Sequence, residues 1–228
     1  MGRQVSVKGF RIGINEDWIS QWFAPRGRFG SYLKIDHLVR DLIFKALPKG
    51  SIEKVLIQRP RNILKIVIYA AKPGLVIGSK GAQIKAIEKG LKDILIKNNF
   101  KNVKFTLDIE EVRDLETKAY VIAADIASQL EKRARFRYLI KQSMNKIERN
   151  PKVKGAKIAV AGRLDGSEMS RREHFSFGTI PLQTLRSKID YGYIQAITKY
   201  GTIGIKVWIY TGEAFEKEKE VEIESGQY

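Results

Sequence analysis

The stretch Leu75-Val76-Ile77-Gly78-Ser79-Lys80-Gly81-Ala82-Gln83-Ile84 decides how the first half of the chain is read. An apolar cluster runs into two glycines three apart, and an apolar helical repeat follows. The glycines let the backbone turn sharply between two helices and leave its amides uncovered by side chains. A sugar-phosphate backbone can approach such a loop, and Lys80 puts a positive charge at its tip. Alone, the spacing is weak. The 19 glycines of the chain make chance matches common, and a plain turn is the default reading of an isolated pair.

The flanks change that reading. Upstream lie two strand-like runs, Val55 to Ile57 and Ile63 to Tyr69, preceded by an amphipathic segment with Leu38, Leu42, Ile43, Ala46 and Leu47. Downstream, Ile84, Ile87, Leu91 and Ile94 fall three and four apart, the period of a helix with one apolar face. Val103, Phe105, Leu107 and Ile109 then alternate with Lys104, Thr106, Asp108 and Glu110, which predicts a strand with one buried face. Helix, strand, strand, helix, Gly-x-x-Gly, helix, strand is the order of a type II KH domain, a module that clamps about four nucleotides of single strand. Gly78, Ser79, Lys80 and Gly81 are the expected RNA-binding loop. A P-loop does not fit, because three residues rather than four separate Gly74 from Gly78 and Ser79 precedes Lys80.

The 228 residues suffice for two domains, and at 43% hydrophobic they can fill real cores. No apolar run reaches the roughly 18 residues that cross a bilayer, and the first residues lack a signal-peptide core, which argues against export. Cysteine is absent, which excludes disulfides and thiolate metal sites and fits a reducing, cytoplasmic setting. A formal charge of +17 calls for a polyanion. No long helix with basic and apolar faces and flanking Trp points to a membrane instead.

Residues 1–15 read as a basic arm that orders on RNA, with Arg3, Lys8 and Arg11 among its cations, while Trp18, Trp22 and Phe23 are expected to pack on protein. Residues 16–112 form the KH domain with its N-terminal extension. Two helical stripes follow, Leu115, Ala119, Ile122, Ala123, Ile126 and Leu130, then Phe136, Leu139, Ile140, Ser143, Met144 and Ile147. Lys132, Arg133, Arg135, Arg137, Lys141 and Lys146 lie between and around them, and residues 132–147 contain no acid to neutralise them locally. Arg137 and Lys141 are one turn apart and off the stripe, which suits a phosphate track. Residues 155–212 return to strands, such as Ile203, Ile205, Val207 and Ile209, and predict an α/β layer with helices on one face. Arg163, Arg171, Arg172, Arg186 and Lys188 add a second basic field.

The class is thus α+β: a KH domain with a three-stranded sheet, a two-layer α/β domain over 113–212, and an acidic tail, 213–228, read as disordered. His37 and His174 neighbour no second ligand at metal spacing, and no nucleophile elbow or carboxylate pair stands out. No catalytic residue, metal or cofactor is expected.

Further matches are more specific. They are Gly9-Phe10-Arg11-Ile12-Gly13-Ile14, Trp22-Phe23-Ala24, Pro73-Gly74-Leu75-Val76-Ile77-Gly78, Gly162-Arg163-Leu164, Thr184-Leu185-Arg186, Ile189-Asp190-Tyr191 and Lys206-Val207-Trp208-Ile209-Tyr210. With them the chain resembles, up to about residue 212, the family of the third protein of the small ribosomal subunit in its bacterial or organellar form. The resemblance implies a structural, ribosome-bound protein rather than an enzyme. Such a protein binds ribosomal RNA in the subunit head and lines the channel through which mRNA enters. The implied neighbours are the tenth and fourteenth proteins in the head and the fourth and fifth at the channel. Basic residues of the second central helix meet incoming mRNA there. Arg137 and Lys141 match, and a third basic position falls on Tyr138, which can stack on a base. Lys132, Arg133 and Arg135 complete the expected mRNA-facing patch. Arg3, Lys8, Arg11, Lys72, Arg163, Arg171, Arg172 and Arg186 are the expected ribosomal RNA contacts. The loop Glu148-Arg149-Asn150-Pro151-Lys152 is longer than the family's, and the acidic tail lies outside its pattern. Two alternatives stay open: a free KH regulator, and a DNA-repair lyase or nuclease, an activity credited to some relatives in nucleated cells.

Overall fold

The computed structural model describes residues 5–60, 63–78, 81–98, 100 and 104–214, with the backbone alone at Arg26. The chain divides into two compact units, one of them Trp18–Arg113 and the other made of the chain up to Asp17 and from Asp114 on.

In the first unit the elements are β1 (Ser20–Gln21), α1 (Arg26–Ala46), β2 (Ile52–Gln58), β3 (Ile63–Ala70), α2 (Pro73–Ile77), α3 (Ala82–Lys97) and β4 (Lys104–Glu111). This is the predicted KH order, and the three expected strands gain the short edge strand β1 in a sheet ordered β1-β2-β3-β4. Pairing is parallel for β1–β2 and β3–β4 and antiparallel for β2–β3. Ile35, Val39 and Ile43 recur every fourth residue along α1, fully buried, and share a core with Ile87, Leu91 and Leu95 of α3 and the inner face of the sheet. α1 starts well before the Leu38 stripe, and Gly27 and Gly30 are exposed on it, where each costs about 1 kcal/mol of helix propensity.

The buried polar centre of this unit is Asp36, on α1 beside the apolar stripe. It accepts hydrogen bonds from Ser20 Oγ at 3.0 Å and Trp22 Nε1 at 2.7 Å and pairs with Arg59 at 2.5 Å. The Arg59 guanidinium stacks over Tyr32, 4.5 Å from the ring centroid. Trp22 therefore packs on protein as expected, whereas Trp18 and Phe23 do not, being 65% and 93% exposed.

The second unit follows a short 3-10 turn, Leu115–Thr117. It comprises α4 (Ala119–Glu131), α5 (Phe136–Glu148), β5 (Gly155–Gly162), β6 (Arg171–Gly178), β7 (Ser187–Thr198) and β8 (Gly201–Glu213). The strands form an antiparallel sheet ordered β6-β5-β8-β7. The apolar faces of α4 and α5 cover one side of it, a two-layer arrangement with the helices on one face. α4 approaches β7 closely: a Cβ at Gly192 would lie 2.6 Å from the backbone of Ala119 and Tyr120. Lys118 offers α4 no side-chain cap, and Asp190 of β7 supplies one by accepting from Ala119 N at 2.7 Å.

The other side of the sheet corrects the reading of the N-terminal segment. Val7, with Ile180 and Tyr191, packs against Ala159, Ile189, Trp208 and Tyr210, so this part of the segment is built into the unit. Arg11, expected to touch ribosomal RNA, is 1% exposed. It donates from Nε to Ser187 O at 2.8 Å, from Nη1 to Val7 O at 3.0 Å, and from Nη2 to the carbonyls of Leu182 and Thr184 at 2.9 and 3.1 Å. With its donors absorbed by carbonyls it is a fastener, not an RNA contact. Burial lowers its pKa from the ordinary arginine value, partly opposed by the charge of Glu16. Arg3 and the tail beyond 214 lie outside the described residues.

An ammonium cannot reproduce this planar fork, so Arg11→Lys should lower stability by about 2–4 kcal/mol, since each hydrogen bond to a charged group is worth about 1.5–3 kcal/mol. Chemical denaturation of the full chain measures it, and an unchanged midpoint would show that the carbonyls find other donors.

Candidate nucleic-acid interface

The turn between α4 and α5 is where the basic run becomes a surface. α4 ends at Glu131, and Arg133 adopts the left-handed conformation at φ +64°. Arg133 N donates to Leu130 O at 2.9 Å and Ala134 N to Gln129 O at 3.2 Å, the paired bonds of a Schellman cap. Glycine usually fills the left-handed site of that cap, and an arginine there costs about 1 kcal/mol. Lys132 and Arg133 suit the negative C-terminal end of α4.

The start of α5 is different. Its N-cap is Arg135, its first turn holds no acid, and Arg137 follows at once. Cations at the positive end of a helix are unfavourable by about 0.3–1 kcal/mol each. Lys132, Arg133, Arg135, Arg137 and Lys141 are all exposed, and Tyr138 between the last two is 67% exposed. Phe136, Leu139, Ile140, Met144 and Ile147 point the other way, into the core. All five cations are therefore at the surface, Lys132, Arg133 and Arg135 in the turn and Arg137 and Lys141 on α5.

The reading that this run lacks acid partners needs correction. Glu173 of β6 accepts from Arg137 Nε at 3.3 Å and Nη2 at 3.1 Å and from Arg171 Nε at 3.0 Å. Both guanidinium groups also lie over the Phe136 ring, at 5.5 and 5.7 Å from its centroid. The hydrogen bond from Arg137 lowers the Glu173 pKa against the opposing effect of burial, and the same bond raises that of Arg137. Arg171 thus joins the α5 patch. No window around residues 132–147 could have found Glu173. The signal was the alternation of β6, which puts Arg171 and Glu173 on the same side as Phe175 and Phe177 against the helices.

The other expected contacts scatter. Arg172 faces the opposite side of the sheet. Arg163 is held by Ser167 O at 2.8 Å, Arg186 pairs with Glu213 at 2.7 Å, and Lys8 with Asp190 at 3.0 Å.

In the first unit the Gly-x-x-Gly loop joins α2 to α3. Gly78 and Gly81 take φ of +72° and +74°, and a Cβ at Gly78 would lie 2.9 Å from Gln83 Cβ, so its glycine is required twice over. Ser79 and Lys80 lie outside the described residues. Beside the loop Lys72 is exposed, and Leu75 and Ile77 remain 52% and 41% exposed. Among the described residues no cluster of His, Asp or Glu could hold a metal, and no helix is long and apolar enough to cross a membrane.

Two family models match the chain, the KH domain over residues 34–117 and the C-terminal domain of ribosomal protein S3 over residues 126–209. Among curated proteins, small ribosomal subunit protein uS3 of Finegoldia magna is 44% identical over 213 residues, 93% of this chain and 84% of that one. The uS3 of Clostridium tetani is 42% identical over 224 residues, 98% and 99% of the two chains. That of Pelagibacter ubique is 43% identical over 218 residues, 96% and 93%.

Two substitutions separate conformation from charge. Arg133→Gly should raise stability by up to about 1 kcal/mol while lowering the salt dependence of RNA binding by about one unit of slope. Glu173→Gln should steepen that slope, because Arg137 and Arg171 lose their competing carboxylate. Thermal melts and RNA titrations across a salt series measure both, and an unaltered slope in both variants would remove these residues from the interface.

Proposed function

The chain belongs to the uS3 family of small ribosomal subunit proteins, and from that premise we propose that the α5 surface is its mRNA-facing element. The protein is a structural constituent of the small subunit, and ribosomal RNA is its partner. In this reading it sits in the subunit head, beside the tenth and fourteenth proteins there and the fourth and fifth at the channel through which mRNA enters. Membership over 93% of the chain weighs against both a free KH regulator and a DNA-repair enzyme.

The observation that carries the reading is the row Arg137, Tyr138, Lys141 on one exposed face of α5, at the helix end where cations are least favoured. Phosphates passing that face relieve the repulsion and release counterions. Tyr138 offers a ring to an unstacked base in place of a third charge. The ion pair of Arg137 with Glu173 does not disable the site, because an exposed pair is weak and screened by solvent and a phosphate competes with it. The remaining exposed cations, Lys72 beside the KH loop among them, are the proposed ribosomal RNA contacts. Gly78 to Gly81 are proposed as a backbone-approach loop for RNA.

The test uses small subunits carrying Arg137→Ala with Lys141→Ala. Translation of messages with a stable hairpin downstream of the start should fall several-fold, while unstructured messages and subunit assembly are spared. Equal performance on both messages would sink the assignment.

A further inference from the structure

On the side of the second unit's sheet away from α5, the part beyond the patch packed by Val7 and Ile180 carries exposed side chains. Register aligns His174, Ala159, Lys206 and Tyr193 in one row across its four strands, and Arg172, Ala161, Gly204 and Gln195 in the next. The first row has Ala159 and Lys206 at its middle and the second Ala161 and Gly204, the end residues are polar, cationic or aromatic, and neither row contains an acid. Arg172, His174 and Gln195 are exposed, and Tyr193 is 44% exposed.

The Tyr193 ring is held in place. Its hydroxyl accepts from Gln195 Nε2 at 2.8 Å, and Lys206 Nζ stands 6.0 Å from the ring centroid. A Cβ at Gly204 would meet the ring at 3.6 Å, so the ring leans over β8 where that strand has no side chain. A tyrosine paired across strands with a lysine is an ordinary way to stabilise a sheet surface. That account explains Tyr193 alone. It does not explain why Lys206 beside the ring and Arg172 at the opposite edge of the sheet stand with no carboxylate in either row.

We propose that this face is a second site for single-stranded RNA that crosses the sheet from β7 to β6, with one base stacked on Tyr193, the adjacent phosphate met by Lys206 and a phosphate further along the strand met by Arg172 at the opposite edge. An aromatic ring on a sheet beside cations is the arrangement by which sheets take unpaired bases. The site is independent of the α5 reading.

The test uses the full chain with Arg137→Ala and Lys141→Ala already in place, so that the α5 patch does not contribute. Fluorescent oligouridylate is titrated by anisotropy. Adding Tyr193→Ala should weaken binding about tenfold, the usual worth of one stacked base. Tyr193→Trp should bind at least as well as the parent, and Lys206→Ala should reduce the salt slope by about one. Oligomers carrying 4-thiouridine should photocrosslink to the peptide Ile189–Lys199, a readout that needs no substitution. Unchanged affinity on Tyr193→Ala overturns the proposal, as do a tryptophan variant no better than alanine and crosslinks confined to other peptides. A base-free polyanion bound as tightly as the oligouridylate, equally by parent and Tyr193→Ala, also overturns it, because charge alone would then suffice.

Discussion

The buried guanidinium of Arg11 is the contact on which the second unit depends. The loop between β6 and β7 contains little regular structure, and Arg11 donates to the carbonyls of Leu182, Thr184 and Ser187, of which that of Thr184 also accepts from Ser187 N at 3.2 Å. One side chain answers all three. With that loop closed, β7 begins at Ser187 and carries Asp190 to the start of α4, where it caps Ala119. The position of α4 then fixes the turn at Arg133, and the turn fixes α5. A residue near the N-terminus thereby positions a surface made by residues 132–141.

Much of this was legible in the sequence. The alternation around β4, the three-and-four spacing of α3 and the glycine pair sufficed for the KH order. The two apolar stripes located α4 and α5, and the family matches placed the remainder. The failures share one cause. Arg11 reads as an arm cation because nothing near it in sequence suggests burial, and its acceptors other than Val7 come from 170 or more residues away. Glu173 was invisible to a count of acids along residues 132–147 for the same reason. Asp36 could have been suspected, as an acid set between Ile35 and Val39 on the buried stripe of α1, but its partner Arg59 lies just beyond the end of β2. Periodicity reports which face of an element is buried. It does not report which charged side chain from elsewhere will meet that face.

The electrostatics of α5 argue for selection on something other than stability. Helices are favoured by acids in the first turn and cations in the last, and α5 has none of the first there and Arg135 and Arg137 instead. Phe136 makes the arrangement tolerable by presenting its ring to Arg137 and Arg171, and Glu173 holds both guanidinium groups beside the helix. Together they hold the cations at the surface until an anion arrives. The αL arginine of the preceding turn is a second local cost at the same site.

The bond from Arg11 to Ser187 spans 176 residues and encloses the whole KH unit. During synthesis the first residues to emerge are therefore among the last to find their partners. Trp18–Arg113 is continuous and has its own core, so it can close while the chain is still being made. The flanking unit must wait for β7 and β8, and such distant pairings form slowly. An unfinished chain carries its α5 cations on a sheet that is not yet assembled and leaves Arg11 a solvated charge. Completion of the protein, not its beginning, converts that residue from a site that can attract nucleic acid into one that cannot.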